Sequence, residues 1–78
     1  MPRTLDDALS ISPRNMALIE GSGEYPDTLV RLQKDGSAKG LQMQNGTVLK
    51  RVTLTASDFE AFKETVNAKR FNCRPLDC

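Results

Sequence analysis

The sequence predicts an α+β fold, in which an antiparallel meander of three or four strands is followed by one C-terminal helix packed on the sheet. From Thr47 to Thr55 apolar and polar residues mostly alternate, which is typical of a strand with one solvated face. Asn45-Gly46 stands just before this run and favours a tight two-residue hairpin turn. After Thr55 the apolar residues recur at helical spacing. With 78 residues, the chain is predicted to form one small domain.

The first dozen residues are predicted to lie outside that domain. "MPRTLDDALS" is polar and acidic, so we expect residues 1–12 to be flexible, or to form a single turn beginning at Thr4. Residues 13–78 would form the single α+β domain. Within them "SPRNMALIEG" allows two structures: Ser12 and Pro13 resemble a helix start with Gly21 as its stop, whereas "MALIE" fits a first strand. We favour the strand.

The central strands are predicted from residue content and turn chemistry. "TLVRLQK", residues 28–34, is a strand by its β-branched content, and "DGSAKG" turns the chain back toward Asn45-Gly46. With the ordinary register of that turn, Leu41 would lie opposite Lys50. The residues expected beneath the helix are apolar, namely Leu41, Met43, Val48 and Val52. The residues expected on the opposite face are Arg31, Gln33, Gln42, Gln44, Thr47, Arg51 and Thr53.

The helix is predicted to run from about residue 56 to about residue 70. The hydroxyl of Thr55 can cap it, and Asp58 can bind the N–H of the cap residue in return. Leu54 and Phe59 occupy the positions of a hydrophobic staple. The residues expected to face the sheet are Phe59, Phe62 and Val66, and those expected to face solvent are Glu60, Lys63 and Glu64.

Charge is unevenly distributed although the formal net charge is only +1. Residues 1–27 carry a net charge of −3 and residues 28–58 a net charge of +3. The basic residues that we predict to bind a protein partner or nucleic acid are Arg31, Lys34, Lys39, Lys50 and Arg51. The acidic residues that could bind a partner are Glu20, Glu24 and Asp27.

Composition argues against catalysis and against a bound metal. The chain has no His, so a Ser or Cys nucleophile would lack its usual base. Two cysteines without His do not suit a four-ligand zinc site. We therefore predict a non-enzymatic protein with no cofactor and no metal. Cys73 and Cys78 could close a small disulfide loop. We favour free thiols of a cytoplasmic protein, because no signal peptide and no membrane span is recognisable.

The strand-to-helix segment "VTLTASDFEAFKETV" resembles the last strand and helix of positive-cofactor-four-type transcriptional coactivators. The residues that carry this resemblance are Val52, Leu54, Phe59, Phe62, Lys63, Glu64 and Val66. The helix is also similar to that of BldB-like small regulators, through Phe59, Ala61, Phe62, Val66, Ala68 and Phe71. The first resemblance implies four strands plus a helix, dimerisation through the helix, and binding of single-stranded DNA on the sheet.

Two hypotheses about function follow. The first is a regulator or inhibitor that binds a protein partner, such as a phage or mobile-element product that blocks a host defence complex. The alternative is a homodimeric transcription regulator that binds single-stranded nucleic acid through a basic sheet. Single-strand binders usually stack bases on aromatic residues, and the chain has one Tyr and three Phe, all three Phe assigned to helix or tail. We therefore favour the protein partner, and we expect a homodimer because a chain this short buries a small core.

Overall fold

The chain folds into an antiparallel sheet with two helices on one of its faces. This computed structural model describes residues 4–21 and 26–68 and the backbone of residues 73–75. The elements in chain order are α1 (Leu5–Ile11), β1 (Met16–Ile19), β2 (Asp27–Leu32), β3 (Ala38–Gln44), β4 (Thr47–Leu54), α2 (Ala56–Ala68) and β5 (Cys73–Pro75). The sheet order is β4-β3-β2-β1-β5. The predicted α+β class is confirmed: four antiparallel strands are followed by a helix that contacts them.

Two features of the sheet go beyond the predicted meander. Residues 16–19 form the strand that we favoured over a helix. The short strand β5 then pairs antiparallel with β1 at the far edge of the sheet. The predicted end of the helix near residue 70 lies outside the described residues, as do Phe71 and Cys78.

The hairpin between β3 and β4 has the predicted turn but a different register. Asn45 and Gly46 both adopt positive φ, at 51° and 81°, as a two-residue turn of this type requires. Gln44 pairs with Thr47, yet Leu41 pairs with Arg51 rather than with Lys50. The register shifts by one residue, so that Leu49 is the extra residue of a β-bulge.

The bulge changes which side chains share a face. Val52 lies opposite Gly40, in line with buried Val30 and Ala17, so it faces the helices. Leu41, predicted to join Val52 there, lies on the other face. Met43 and Val48 were also predicted beneath the helix, and they too lie on the face away from the helices. The opposite correction applies to Gln42, Gln44 and Thr47, which were predicted on the face away from the helix and lie on the helix side. Arg31, Arg51 and Thr53 lie on the face where they were predicted.

The N-terminal segment expected to be flexible is instead a helix that belongs to the core. The Thr4 hydroxyl accepts a hydrogen bond from the Asp7 N–H at 3.1 Å, which caps the first turn of α1. The Leu5 N–H donates to Oδ1 of Asn67 on α2 at 3.1 Å. The buried apolar core is made of Leu5, Ala8, Leu9, Ala17, Val30, Ala38 and Phe59. The alternative prediction, a single turn beginning at Thr4, placed the start of this helix correctly. Its length and its packing were not predicted because a helix of seven residues is marginal by itself and depends on tertiary packing.

Helix α2 starts where predicted, and Phe59 and Phe62 pack toward the sheet as predicted. The Asp58 N–H donates to the Thr55 hydroxyl at 3.2 Å, whereas the return bond to the Asp58 carboxylate is not among the hydrogen bonds of the described residues. Phe59 is 2% exposed, and Leu54 and Phe62 pack against the core that contains it. The rings of Phe59 and Phe62 stack with centroids 6.4 Å apart.

Lys63 was predicted to face solvent but lies between the two helices. Its side chain is 12% exposed, and its ammonium contacts Asp6 at 2.8 Å and Glu60 at 2.9 Å. The Lys63 Nζ also lies 5.2 Å from the centroid of the Phe59 ring. Burial tends to lower the pKa of Lys63, but hydrogen bonds to Asp6 and Glu60 and their charges outweigh it, so that the pKa is raised above its ordinary value.

Replacing Leu9 by alanine tests whether α1 is part of the core. Leu9→Ala should lower the free energy of unfolding by about 2–5 kcal/mol, because it leaves a cavity among buried residues. The matched control is Ile11→Ala on the same helix, where the side chain is 58% exposed and the expected change is within about 0.5 kcal/mol. Urea unfolding measures both variants. Equal effects of the two substitutions would contradict a core role for α1.

The environment of Lys63 predicts a pH-dependent stability. A pKa raised on folding contributes stability below the unfolded value of about 10.5, and this contribution is lost as pH rises through the folded pKa. We expect the stability of wild type relative to Lys63→Met to fall above that pH, by at most about 1 kcal/mol because Asp6 and Glu60 are exposed. Urea unfolding across alkaline pH measures the difference. A difference that does not change with pH would refute the assignment.

Candidate binding surface

The sheet face away from the helices, here called the open face, carries an apolar row with a basic row on one side of it. Leu18, Leu29 and Leu41 lie side by side on β1, β2 and β3, and each is half-buried. Arg51 on β4 lies next to Leu41 and ends the row. Neither described helix packs on this face, because both contribute their buried residues to the opposite side.

Basic residues form the row next to the apolar one. Arg31 and Lys39 are direct cross-strand partners, two residues along their strands from Leu29 and Leu41. Thr53 of β4 continues this row. The two cations are therefore neighbours of the apolar row on the same face of the sheet.

Arg31 and Lys39 also line an open groove of about 610 Å³ at that end of the sheet, here called the cationic groove. Lys34 in the β2–β3 loop and Arg14 in the loop before β1 complete its basic lining. Asp35 is the acidic residue among the described residues that line the groove. The described lining of the groove thus contains four cationic side chains and one carboxylate.

The loop before β1 is fixed by hydrogen bonds, which place Arg14 at the groove. Asn15 adopts a positive φ of 53°, and its N–H donates to the Ser12 carbonyl at 3.1 Å. The buried Ser12 hydroxyl accepts from the Met16 N–H at 3.1 Å, and the Leu32 N–H donates to the Asn15 carbonyl at 2.9 Å. Arg14 was not predicted as a site residue. The positive φ that Asn tolerates in "SPRN" was the available signal.

The β2–β3 loop is held by Asp35. Oδ1 of Asp35 accepts hydrogen bonds from the Ser37 hydroxyl at 2.6 Å and from the Ser37 N–H at 2.9 Å. These hydrogen bonds lower the pKa of the Asp35 carboxyl below its ordinary value, and the bond from the Ser37 hydroxyl has the larger effect. The Gly36 N–H donates to the Gln33 carbonyl at 3.2 Å, and Gly36 has a φ of 93°. These contacts fix the loop that carries Lys34.

The structure brings together only part of the predicted basic set. Arg31, Lys34 and Lys39 meet in the cationic groove. Arg51 lies on the same open face outside the groove, and Lys50 lies on the helix side of β4, opposite Gln42. Within the described part of the chain, no carboxylate lies within ion-pair distance of Arg31, Lys34 or Lys39.

Two of the predicted acidic residues, Glu20 and Asp27, lie away from the groove, at the other end of the sheet. Asp27 begins β2, and its Oδ1 accepts a hydrogen bond from the Gly21 N–H at 2.7 Å. Glu20 directly follows β1 and is half-buried, while Glu24 lies outside the described residues. Asp27 thus has a structural role in closing the connection between β1 and β2.

Other kinds of site are not seen in the described ranges. Residues 4–21 and 26–68 contain no group of three or more metal-ligating side chains. No described helix is long and apolar enough to cross a membrane.

The contacts of Asp35 predict a change in its titration. Ser37→Ala removes the hydroxyl donor and should raise the pKa of Asp35 toward 3.8. The stability due to this contact is present above the unfolded pKa and lost as pH falls through the folded one. NMR titration of the side-chain carboxyl measures the shift. Ser10→Ala is the control, since the Ser10 hydroxyl donates to the Asp7 carbonyl; equal curves in both variants would contradict the role of Ser37.

No family model, curated protein or solved structure matches the chain. The resemblances of β4 and α2 to coactivators and BldB-like regulators stay predictions. The function of the chain is therefore inferred from its own residues.

Proposed function

We propose that this protein is a small non-enzymatic regulator or inhibitor that binds an acidic protein partner through its open face. It acts in the cytoplasm by occupying a surface of that partner. Inhibitors of host defence complexes that phages or mobile elements encode are the class of protein we favour.

The apolar row flanked by cations is the observation that carries this proposal. Protein interfaces combine an apolar centre with a polar rim, and arginine is enriched in them. Here Leu18, Leu29 and Leu41 supply the centre, while Arg31 and Arg51 lie at its margin. Because Arg31 and Arg51 have no ionic partner among the described residues, the complementary surface is acidic.

A protein partner is favoured over single-stranded nucleic acid by the position of the described aromatic residues. Binding of single strands without sequence preference relies on aromatic rings that stack with bases. Phe59 and Phe62 stack with each other on the helix side of the sheet instead. The open face offers leucines at the corresponding place.

Neighbouring residues of β4 provide a matched test. Arg51→Glu reverses a charge on the open face, whereas Lys50→Glu reverses one on the helix side, and both side chains are exposed. In pull-downs from nuclease-treated lysate, a partner retained by wild type and Lys50→Glu should be reduced at least about fivefold by Arg51→Glu, since the charge reversal turns attraction to an acidic surface into repulsion.

Two results would contradict the proposal. If nuclease removes the captured material, the ligand is nucleic acid. If Arg51→Glu and Lys50→Glu retain the partner equally, the open face is not the binding surface. The homodimer predicted from chain length stays a prediction, and light scattering of the purified protein is the measurement that decides it.

A further inference from the structure

We propose that the cationic groove binds an acidic peptide segment, a run of Asp or Glu side chains on the partner. This inference rests on the proposed function and names the part of the partner that enters the groove. The groove adjoins the apolar row on β2 and β3, so one ligand can occupy both.

The arrangement of Arg31 and Lys39 is the first argument. They are direct cross-strand partners, at a spacing where like charges repel each other and destabilise a sheet. No described carboxylate neutralises either residue. An anionic ligand placed between them would remove this repulsion. The relief of the repulsion would add to the free energy of binding.

The hydrogen bonds of the β2–β3 loop decide between kinds of anion. Compact phosphate sites use converging backbone N–H groups of a loop or a helix start. In this loop the Gly36 N–H is bonded to the Gln33 carbonyl and the Ser37 N–H to Asp35. These two N–H groups are therefore not available to a phosphate, and the long basic side chains of the groove suit carboxylates spread along a peptide better than one phosphate group.

The shape of the groove agrees with a peptide ligand. Its volume of about 610 Å³ is within the range of sites that hold a ligand larger than a single ion. Arg31, Lys34 and Lys39 belong to the β2–β3 hairpin, and Arg14 belongs to the loop before β1. Both hydrogen bonds of Asp35 are made to Ser37 within the loop, and no ion pair joins Asp35 to Arg31, Lys34 or Lys39. A ligand with several carboxylates would contact Arg31, Lys34 and Lys39 along the hairpin.

Fluorescence anisotropy with a labelled short oligoglutamate peptide tests the inference. The variant is Arg31→Gln combined with Lys39→Gln, and the control is Lys50→Gln on the opposite face of the sheet. We expect the double variant to bind roughly 3- to 30-fold more weakly, and the control to bind like wild type. Wild-type affinity should fall as salt rises. The melting temperature of the free double variant should be equal to or higher than that of wild type, since a repulsion has been removed.

Three outcomes would overturn the inference. Binding that is equally weak in Lys50→Gln and the double variant would be non-specific attraction. A lower melting temperature together with lost binding would show that Arg31 and Lys39 are structural. Tighter binding of inorganic triphosphate or oligothymidylate, with displacement of the peptide, would identify a phosphate or nucleic-acid site. The partner capture that depends on Arg51 is measured separately, so failure here is distinguishable from failure of the proposed function.

Discussion

Burial of Phe59 against the sheet and α1 is the interaction on which the rest of the structure depends. It brings the two helices to the same side, where Leu5 and Leu9 fill the space that α2 leaves uncovered. Both described helices therefore cover the same face of the sheet, and neither covers the other face. The apolar row of Leu18, Leu29 and Leu41 is thus a consequence of how the core is built. Surface available for binding and stability of the core are set by the same packing.

The bulge at Leu49 shows why faces are harder to predict than strands. The turn at Asn45-Gly46 fixes Met43 opposite Val48, and uninterrupted pairing would then have aligned Arg51 with Gly40 beneath the helices. One extra residue brings Val52 to that position instead. Strand content and turn type are local properties and were predicted correctly. The bulge places Val52 against the core, opposite Gly40. It could not be predicted without knowing that Ala38 and Gly40 face the core.

The same distinction explains what was predicted of the site. The basic residues could be read from the sequence, because charge is a property of each residue. Their grouping could not, since Arg31 and Lys39 meet through strand register and Arg14 arrives from the loop before β1. The α1 segment carried its own pattern, with Thr4 as cap and apolar residues at positions 5, 8 and 9. The full helix was not predicted because a segment this short depends for its stability on contacts with α2 and the sheet.

The bulge also affects how the protein behaves at high concentration. Strand β4 forms an outer edge of the sheet, and Val48 and Leu49 on it are 42% and 55% exposed. A regular edge with such residues would be a template on which strands of other molecules add, leading to aggregates. At Leu49 the spacing of backbone donors and acceptors is interrupted, so an incoming strand cannot stay in register along the whole edge. An irregularity required by the core therefore also protects the protein against fibrillar self-assembly.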